Sequence, residues 1–307
     1  MEKRLPELYH APGYAGVIGL VLGVLPDATR EALFAEAPTP PEGFGTDYLL
    51  LGLNVVVVWV AALQTWRLGT RLFDPMVGGL AALALLISAP VWTHAVAVDG
   101  TPWAMVLLLG LFQMLVWADG EEPSSRRGWI AWTEAGALVG VLFLTDYPWG
   151  TLLAVGHAMW RRSWVGLSLA IVVAGLVVTP WMVRNIGLTG SPVALAAQDL
   201  ALRIDDPTAD PEVWRTTLSP ALPPVSLNKR GNKTLTTLQE TLGHQLWSGG
   251  GLVLTAFFVT GWIYRFRKEG TNRLRTVFAI ALAVMVLANG LMNSEEGERS
   301  PTVVVAH

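Results

Sequence analysis

Residues 48–68 read YLLLGLNVVVVWVAALQTWRL, a run whose one charge, Arg67, comes next to last. A bilayer core about 30 Å thick is crossed by roughly 20 helical residues rising 1.5 Å each. No water reaches the backbone there, so a lone segment satisfies its own N–H and C=O groups only as a helix. Runs of the same kind occupy 75–96, 102–118, 129–146, 164–183, 249–265 and 275–292. A shorter one at 147–160 lies between Pro148 and the Trp160-Arg161-Arg162 cluster. The run 13–25, rich in glycine and flanked by Pro12 and Pro26, reads as an interfacial or re-entrant helix rather than a span.

Composition agrees. The 307 residues are 52% hydrophobic and 15% charged, with a mean hydropathy of +0.45. Soluble domains carry about 25% charged residues, enough to clothe a surface in water. Here the few charges are grouped between apolar runs. A net charge of -3 without a long basic tract gives no nucleic-acid partner. With no cysteine there is no disulfide, thiolate metal site or cysteine nucleophile.

The charges also give direction. Lys and Arg in short loops stay cytoplasmic. Alternate connections hold Arg67 and Arg71, then Arg126 and Arg127, then Arg161 and Arg162, then Arg265, Arg267, Lys268, Arg273 and Arg275. The intervening ones hold Asp99, Asp146, the 184–248 segment and the acidic Glu295, Glu296 and Glu298. Eight spans, with 147–160 among them, keep every arginine pair on one side. All of the 14 tryptophans except Trp59 and Trp214 fall near a proposed helix end, at headgroup depth.

The expected architecture is an all-α, polytopic bundle of about eight spans in a plasma (inner) membrane. Residues 1–47 form an extracytoplasmic juxtamembrane segment, 48–183 hold six spans, and 184–248 make an extracytoplasmic loop. Two further spans fill 249–292, and 293–307 are a tail that begins another apolar run at Pro301. Both chain ends then face outward. Lys3 and Arg4 lie on the unfavoured side with no signal peptide before them, and the simplest account is a lost upstream span, with the first outer loop lost too.

The 184–248 loop is acidic first (Asp199, Asp205, Asp206, Asp210, Glu212) and basic later (Lys229, Arg230, Lys233). It is either a lid over the outer face or a plain solvated connector. Polar groups at the outer helix ends are His10, His94, Asp99, Asp146, Arg184, Asn185 and Arg299. Each has a structural reading as well. Arg184 snorkels to headgroups or binds a ligand. Asp99, in Val98-Asp99-Gly100-Thr101-Pro102, caps the next helix or acts in a site. Asp146, before Tyr147-Pro148, has the same two readings. His157 reads as a packed histidine. The five histidines lack the spacing of a metal site, so no metal is expected. Neither a Walker loop, a nucleotide-binding glycine fingerprint nor a nucleophile elbow is present.

Several local stretches, in order, resemble one family. Tyr9-His10-Ala11-Pro12-Gly13-Tyr14 is similar to the His-Pro-Pro-x-Tyr element of the GT-C superfamily of membrane glycosyltransferases. Trp66 to Asp74 resembles a turn between two of its spans, and Ser88-Ala89-Pro90 the Ser-Pro ending the next helix. Thr145-Asp146-Tyr147-Pro148 stands where the family has Thr-Arg/Lys-Tyr. Thr179-Pro180-Trp181-Met182-Val183-Arg184-Asn185, followed by Gly190-Ser191-Pro192, resembles a stretch of one branch, that of the dolichyl-phosphate-mannose protein mannosyltransferases and the lipid A aminoarabinose transferase. Gly297-Glu298-Arg299 resembles a later Arg-Tyr element.

The resemblance implies an enzyme transferring a sugar from a polyprenyl-phosphate donor to an acceptor at the extracytoplasmic face. Membrane lipids and protein subunits are the other expected partners, and no cofactor is implied. It places Arg184 and Arg299 on the donor phosphate, with His10 and Asn185 orienting it. The family's catalytic carboxylate sits upstream of the His-Pro-Pro-x-Tyr element, where only Glu2 and Glu7 stand here. The catalytic candidates are therefore Glu7, Asp99 and Asp146. The alternatives are a GT-C-like scaffold that has lost its chemistry and serves as a structural subunit, and a transporter. The transporter reading ranks last because the midplane lacks charge.

The natural absence of cysteine makes the topology directly testable. Ser226→Cys should react with an impermeant maleimide in intact cells, and Ser124→Cys only after permeabilisation. Labelling of both from one side would overturn the orientation.

Overall fold

A computed structural model describes residues 11–34, 45–122, 125–145 and 163–196, with isolated residues between 231 and 276. The described residues are all-helical. Two helices come first, α1 (Gly13–Val24) and α2 (Asp27–Phe34). The bundle follows as α3 (Gly45–Leu72), α4 (Pro75–Ile87), α5 (Ala89–Val96), α6 (Thr101–Gly120), α7 (Arg126–Thr145) and α8 (Trp164–Thr189). Four are long and apolar enough to cross a membrane, and α4 with α5 makes a fifth crossing if counted as one broken span. The expected span at 147–160 lies outside the described residues, as do those at 249–265 and 275–292 apart from residues 263, 275 and 276.

Local chemistry sets the helix ends. Asp47 in the first turn and Arg71 in the last suit the dipole of α3. Asp74 caps α4, its Oδ1 accepting the Val77 N–H at 2.9 Å, with Pro75 opening the first turn. Ser163 caps α8 through the Gly166 N–H at 3.3 Å. The far end of α8 closes on Gly190, whose φ of +78° is the left-handed conformation favoured after a helix.

The run 75–96, expected as one span, is broken. Its halves α4 and α5 meet at Ser88 with a 51° bend. Pro90 has no N–H to give the carbonyl four residues back, that of Leu86. The Trp92 indole donates to that carbonyl instead, at 2.5 Å. The bend therefore leaves no orphan acceptor at Leu86, which a lipid environment would penalise heavily.

The helices pack through missing side chains. α3 and α4 form an antiparallel hairpin in which Gly69 faces Gly78, and a Cβ at Gly78 would lie 2.5 Å from the Trp66 carbonyl oxygen. α6 runs parallel to α3, with Val58 and Met105 in one cluster and Gln113 Nε2 donating to the Gln64 carbonyl at 3.4 Å. α7 returns antiparallel to α6, where Leu108, Leu111, Leu115, Ala135 and Leu142 form the main core. Then α8 lies parallel to α7: Trp132 meets Gly166, Gly136 meets Ala170, and Gly140 meets Val177. Small residues four apart are how membrane helices approach closely without a hydrophobic driving force.

That parallel register places Thr145 and Ser163 at opposite ends of the α7–α8 pair. Arg67, Arg71, Arg126 and Arg127 gather at the Ser163 end, and Thr271 joins them by donating to the Leu72 carbonyl at 3.4 Å. Tyr14, Asp99, Gly100 and Thr145 gather at the other, here termed the Asp99 end. Continued upward, the register of Trp132 with Gly166 and Gly136 with Ala170 sets Thr145 level with Thr179, and Arg184 lies on α8 past that level, roughly 7 Å along the axis at about 1.5 Å per residue.

The outward surface is apolar. Met76, Leu80, Leu83 and Ile87 line one exposed face of α4, and Ile171, Val172, Leu176 and Val183 line one of α8. In water such patches would drive aggregation; hydrocarbon is the solvent they match.

A Cβ at Gly136 would sit 2.5 Å from the Ala170 carbonyl oxygen, so backbone must move to admit one. Gly136→Leu should destabilise the protein in detergent by about 1–3 kcal/mol, the usual cost of overpacking. Gly175→Ala, with nothing within 4 Å, should hold or raise stability through helix propensity. Thermal unfolding of both variants checks the pair.

Candidate functional site

The polar groups of the Asp99 end are built from four segments. α5 stops at Val96, and the chain turns through Ala97 and Val98 before α6. Val98 has φ = +55°, a left-handed conformation rare for a β-branched residue. The turn folds Asp99 back onto the helix just left, where Oδ2 pairs with His94 Nδ1. Its other oxygen accepts the Thr101 N–H at 2.9 Å. Asp99 thus serves the start of α6, as a capping role anticipates, although Gly100 is the residue at the N-cap. The same carboxylate holds a histidine, which the spacing of the histidines does not disclose.

Asn54 of α3 ties the turn down. It is fully buried, and its Nδ2 donates to the Ala95 carbonyl at 3.3 Å and the Asp99 carbonyl at 3.4 Å. A side-chain amide in the run 48–68 is costly in hydrocarbon unless such partners exist. Tyr14 of α1 completes the group, its ring lying over Gly100. Burial raises the Tyr14 phenol above its ordinary pKa. The nearby Asn54 side chain opposes that shift, and the Asp99 charge adds to it. The phenol approaches Asn54 without the geometry of a full hydrogen bond.

Close approach of α1 depends on Gly13. A Cβ there would lie 2.7 Å from the Leu144 carbonyl oxygen and 2.8 Å from Thr145 Cα. Glycine lets the N-terminus of α1 seat on the end of α7 and brings Tyr14 to Asp99.

Arg184 belongs to a second group at this end, on the last turns of α8. Its guanidinium stacks on Trp181, 4.3 Å from the ring centroid, and donates to Asn185 Oδ1 at 3.0 Å. Asn185 is fully buried, and its Nδ2 donates to the Pro192 carbonyl at 3.1 Å. Thr189 Oγ1 donates to the Asn185 carbonyl at 2.9 Å. Asn185 thus fastens the 190–196 turn to the helix and presents Arg184. A guanidinium has five N–H donors, and the bond to Asn185 uses one.

Of the residues expected in a site, Asp99, Arg184 and Asn185 are described and stand at one end of the bundle. Glu7, His10, Asp146 and Arg299 lie outside the described residues. Among the described residues no three His, Asp or Glu side chains come together as a metal site would require. Sequence reading passes over Tyr14 and Asn54 as site residues, and misses the pairing of His94 with Asp99. The available signals are an amide deep inside an apolar run and a histidine five residues before a turn aspartate. No family model, curated protein or solved structure matches the chain.

The strained turn gives a test. Val98→Gly removes the Cβ that the left-handed region penalises by roughly 1–2 kcal/mol, against a smaller entropic loss. The variant should unfold at a slightly higher temperature in detergent, while Val98→Ala should not gain. A lower melting temperature for the glycine variant would mean that Val98 is held by packing worth more than its strain.

Proposed function

We propose that this protein is a GT-C-type membrane glycosyltransferase that moves a sugar from a polyprenyl-phosphate donor to an acceptor at the Asp99 end of the bundle, taken as the extracytoplasmic side. The observation that carries the reading is the setting of Arg184. Its half-buried guanidinium sits beside the exposed apolar residues Val183 and Ile186, at the same end as a held carboxylate. A polyprenyl chain lying along the apolar face of α8 would bring its phosphate to that level. A guanidinium meets phosphate oxygens through charge-assisted, often paired, hydrogen bonds. Departure of the sugar leaves an extra negative charge on that phosphate, so a cation there favours the transition state over the ground state. The lipid itself is the donor's carrier, and no metal or organic cofactor enters the scheme.

A second reading, a scaffold subunit without chemistry, draws on the same residue. Trp181 and Asn185 already partner Arg184, which suits a purely structural arginine. Turnover separates the two. Purified protein in liposomes should transfer label from a polyprenyl-phosphate sugar, and Arg184→Ala should lower kcat/KM by about 10- to 100-fold, the worth of one or two hydrogen bonds to a charged group. Arg184→Lys should fall between, keeping the charge and losing the fork. Equal turnover by the alanine variant would remove Arg184 from the site, and absence of transfer from every donor would favour the scaffold.

A further inference from the structure

The His94–Asp99 pair has features that a helix cap does not need. His94 is 9% exposed and Asn54 fully buried, yet each keeps one polar atom without a hydrogen-bond partner among the described residues, His94 Nε2 and Asn54 Oδ1. The Tyr14 hydroxyl and Trp103 Nε1 are in the same state. Buried polar atoms are nearly always paired, so His94 Nε2 and Asn54 Oδ1, both held against the turn between α5 and α6, point to an occupant.

The chemistry of those atoms is fixed by their neighbours. Asp99 is an acceptor, so in the neutral imidazole the proton belongs on Nδ1 and Nε2 presents a bare lone pair. Two carbonyls take the Asn54 amide N–H groups, so Oδ1 is the atom left over. Both are acceptors that call for O–H donors. A phosphate brings acceptors only and would meet the Asp99 charge, so it is unsuited to this junction and suited to Arg184. A hydroxyl compound fits here.

We infer that His94 is the general base that takes the proton of the acceptor hydroxyl, with Asp99 as its positioning residue and Asn54 as a second contact for the acceptor. The inference rests on the transferase reading. As the hydroxyl oxygen bonds to the anomeric carbon, its O–H bond breaks and the proton passes to His94 Nε2. The anomeric carbon–oxygen bond breaks with its electron pair going to the donor phosphate, which leaves as polyprenyl phosphate. Asp99 stabilises the imidazolium and holds the ring in the productive tautomer, the general role of a carboxylate behind a basic histidine. Partly exposed, with 37% of its side chain accessible, Asp99 also lies on the way by which the proton returns to solvent.

The experiment is full-length His94→Gln in liposomes, with donor binding and transfer measured separately. Two small alcohols serve as acceptors, ethanol and the more acidic trifluoroethanol. Donor binding should stay within about twofold of wild type, while transfer to ethanol falls about 100- to 10,000-fold, the range for removing a general base. The defect should be much smaller with trifluoroethanol, whose proton leaves readily; a merely structural role would affect both alcohols alike. Asp99→Asn should show the same pattern more mildly, and it carries the test if His94→Gln no longer binds donor. Wild-type transfer by His94→Gln, or equal loss with both alcohols, overturns the inference and leaves the transferase reading standing. A wild-type protein that neither binds nor transfers any donor overturns both.

Discussion

The contact between α7 and α8 sets where Arg184 stands relative to the polar groups around Asp99. Gly136 and Gly140 have no Cβ to hold the two helices apart, and α8 presents Ala170 and Val177 to them in parallel register. Neither helix gains much hydrophobic free energy from meeting the other in lipid, so close van der Waals packing has to supply the association. The end of α7 then receives Gly13 of α1, and the end of α8 carries Arg184 past it. If the register slipped by one turn, Arg184 would move about 5 Å relative to Tyr14 and Asp99.

The broken crossing of α4 and α5 has a different role. A straight helix over 75–96 would carry His94 onward along its own axis. Pro90 forbids the hydrogen bond that would keep it straight, and the Trp92 indole satisfies the carbonyl left behind. The tilted α5 lays Val91 and Ala95 against Val58 and Ala61, which puts the Ala95 and Asp99 carbonyls within reach of Asn54. A bend, an indole and an amide thus cooperate to aim one histidine, and each is a polar adjustment made possible by protein rather than lipid around it.

Much of this was legible in the sequence because bilayer physics writes in long strokes. The runs at 48–68, 102–118, 129–146 and 164–183 each became helix to within a few residues, since an apolar stretch of that length has one stable form in hydrocarbon. The gathering of Arg67, Arg71, Arg126 and Arg127 at one end followed from charge alternation. What stayed hidden depended on fine geometry. The bend at Ser88 needed Pro90 read as a missing donor rather than a helix end. The His94–Asp99 pair needed a left-handed valine, a conformation no propensity favours. Tyr14 and Asn54 are far apart in the chain and meet only because Gly13 admits α1 so closely.

The parallel run of α7 and α8 bears on how the protein is made. Neighbours such as α3 with α4, or α6 with α7, can pair as hairpins soon after the ribosome releases them. Thr145 and Ser163, by contrast, stand at opposite ends of the bundle, so α8 meets α7 only after the intervening chain has covered that distance. The glycine contacts that fix the register are thus an assembly step of higher contact order than the hairpins, and slower for it. Until they close, the polar groups around Asp99 and the arginine of α8 do not yet stand at one end of a bundle, and the nascent protein has its helices before it has their register.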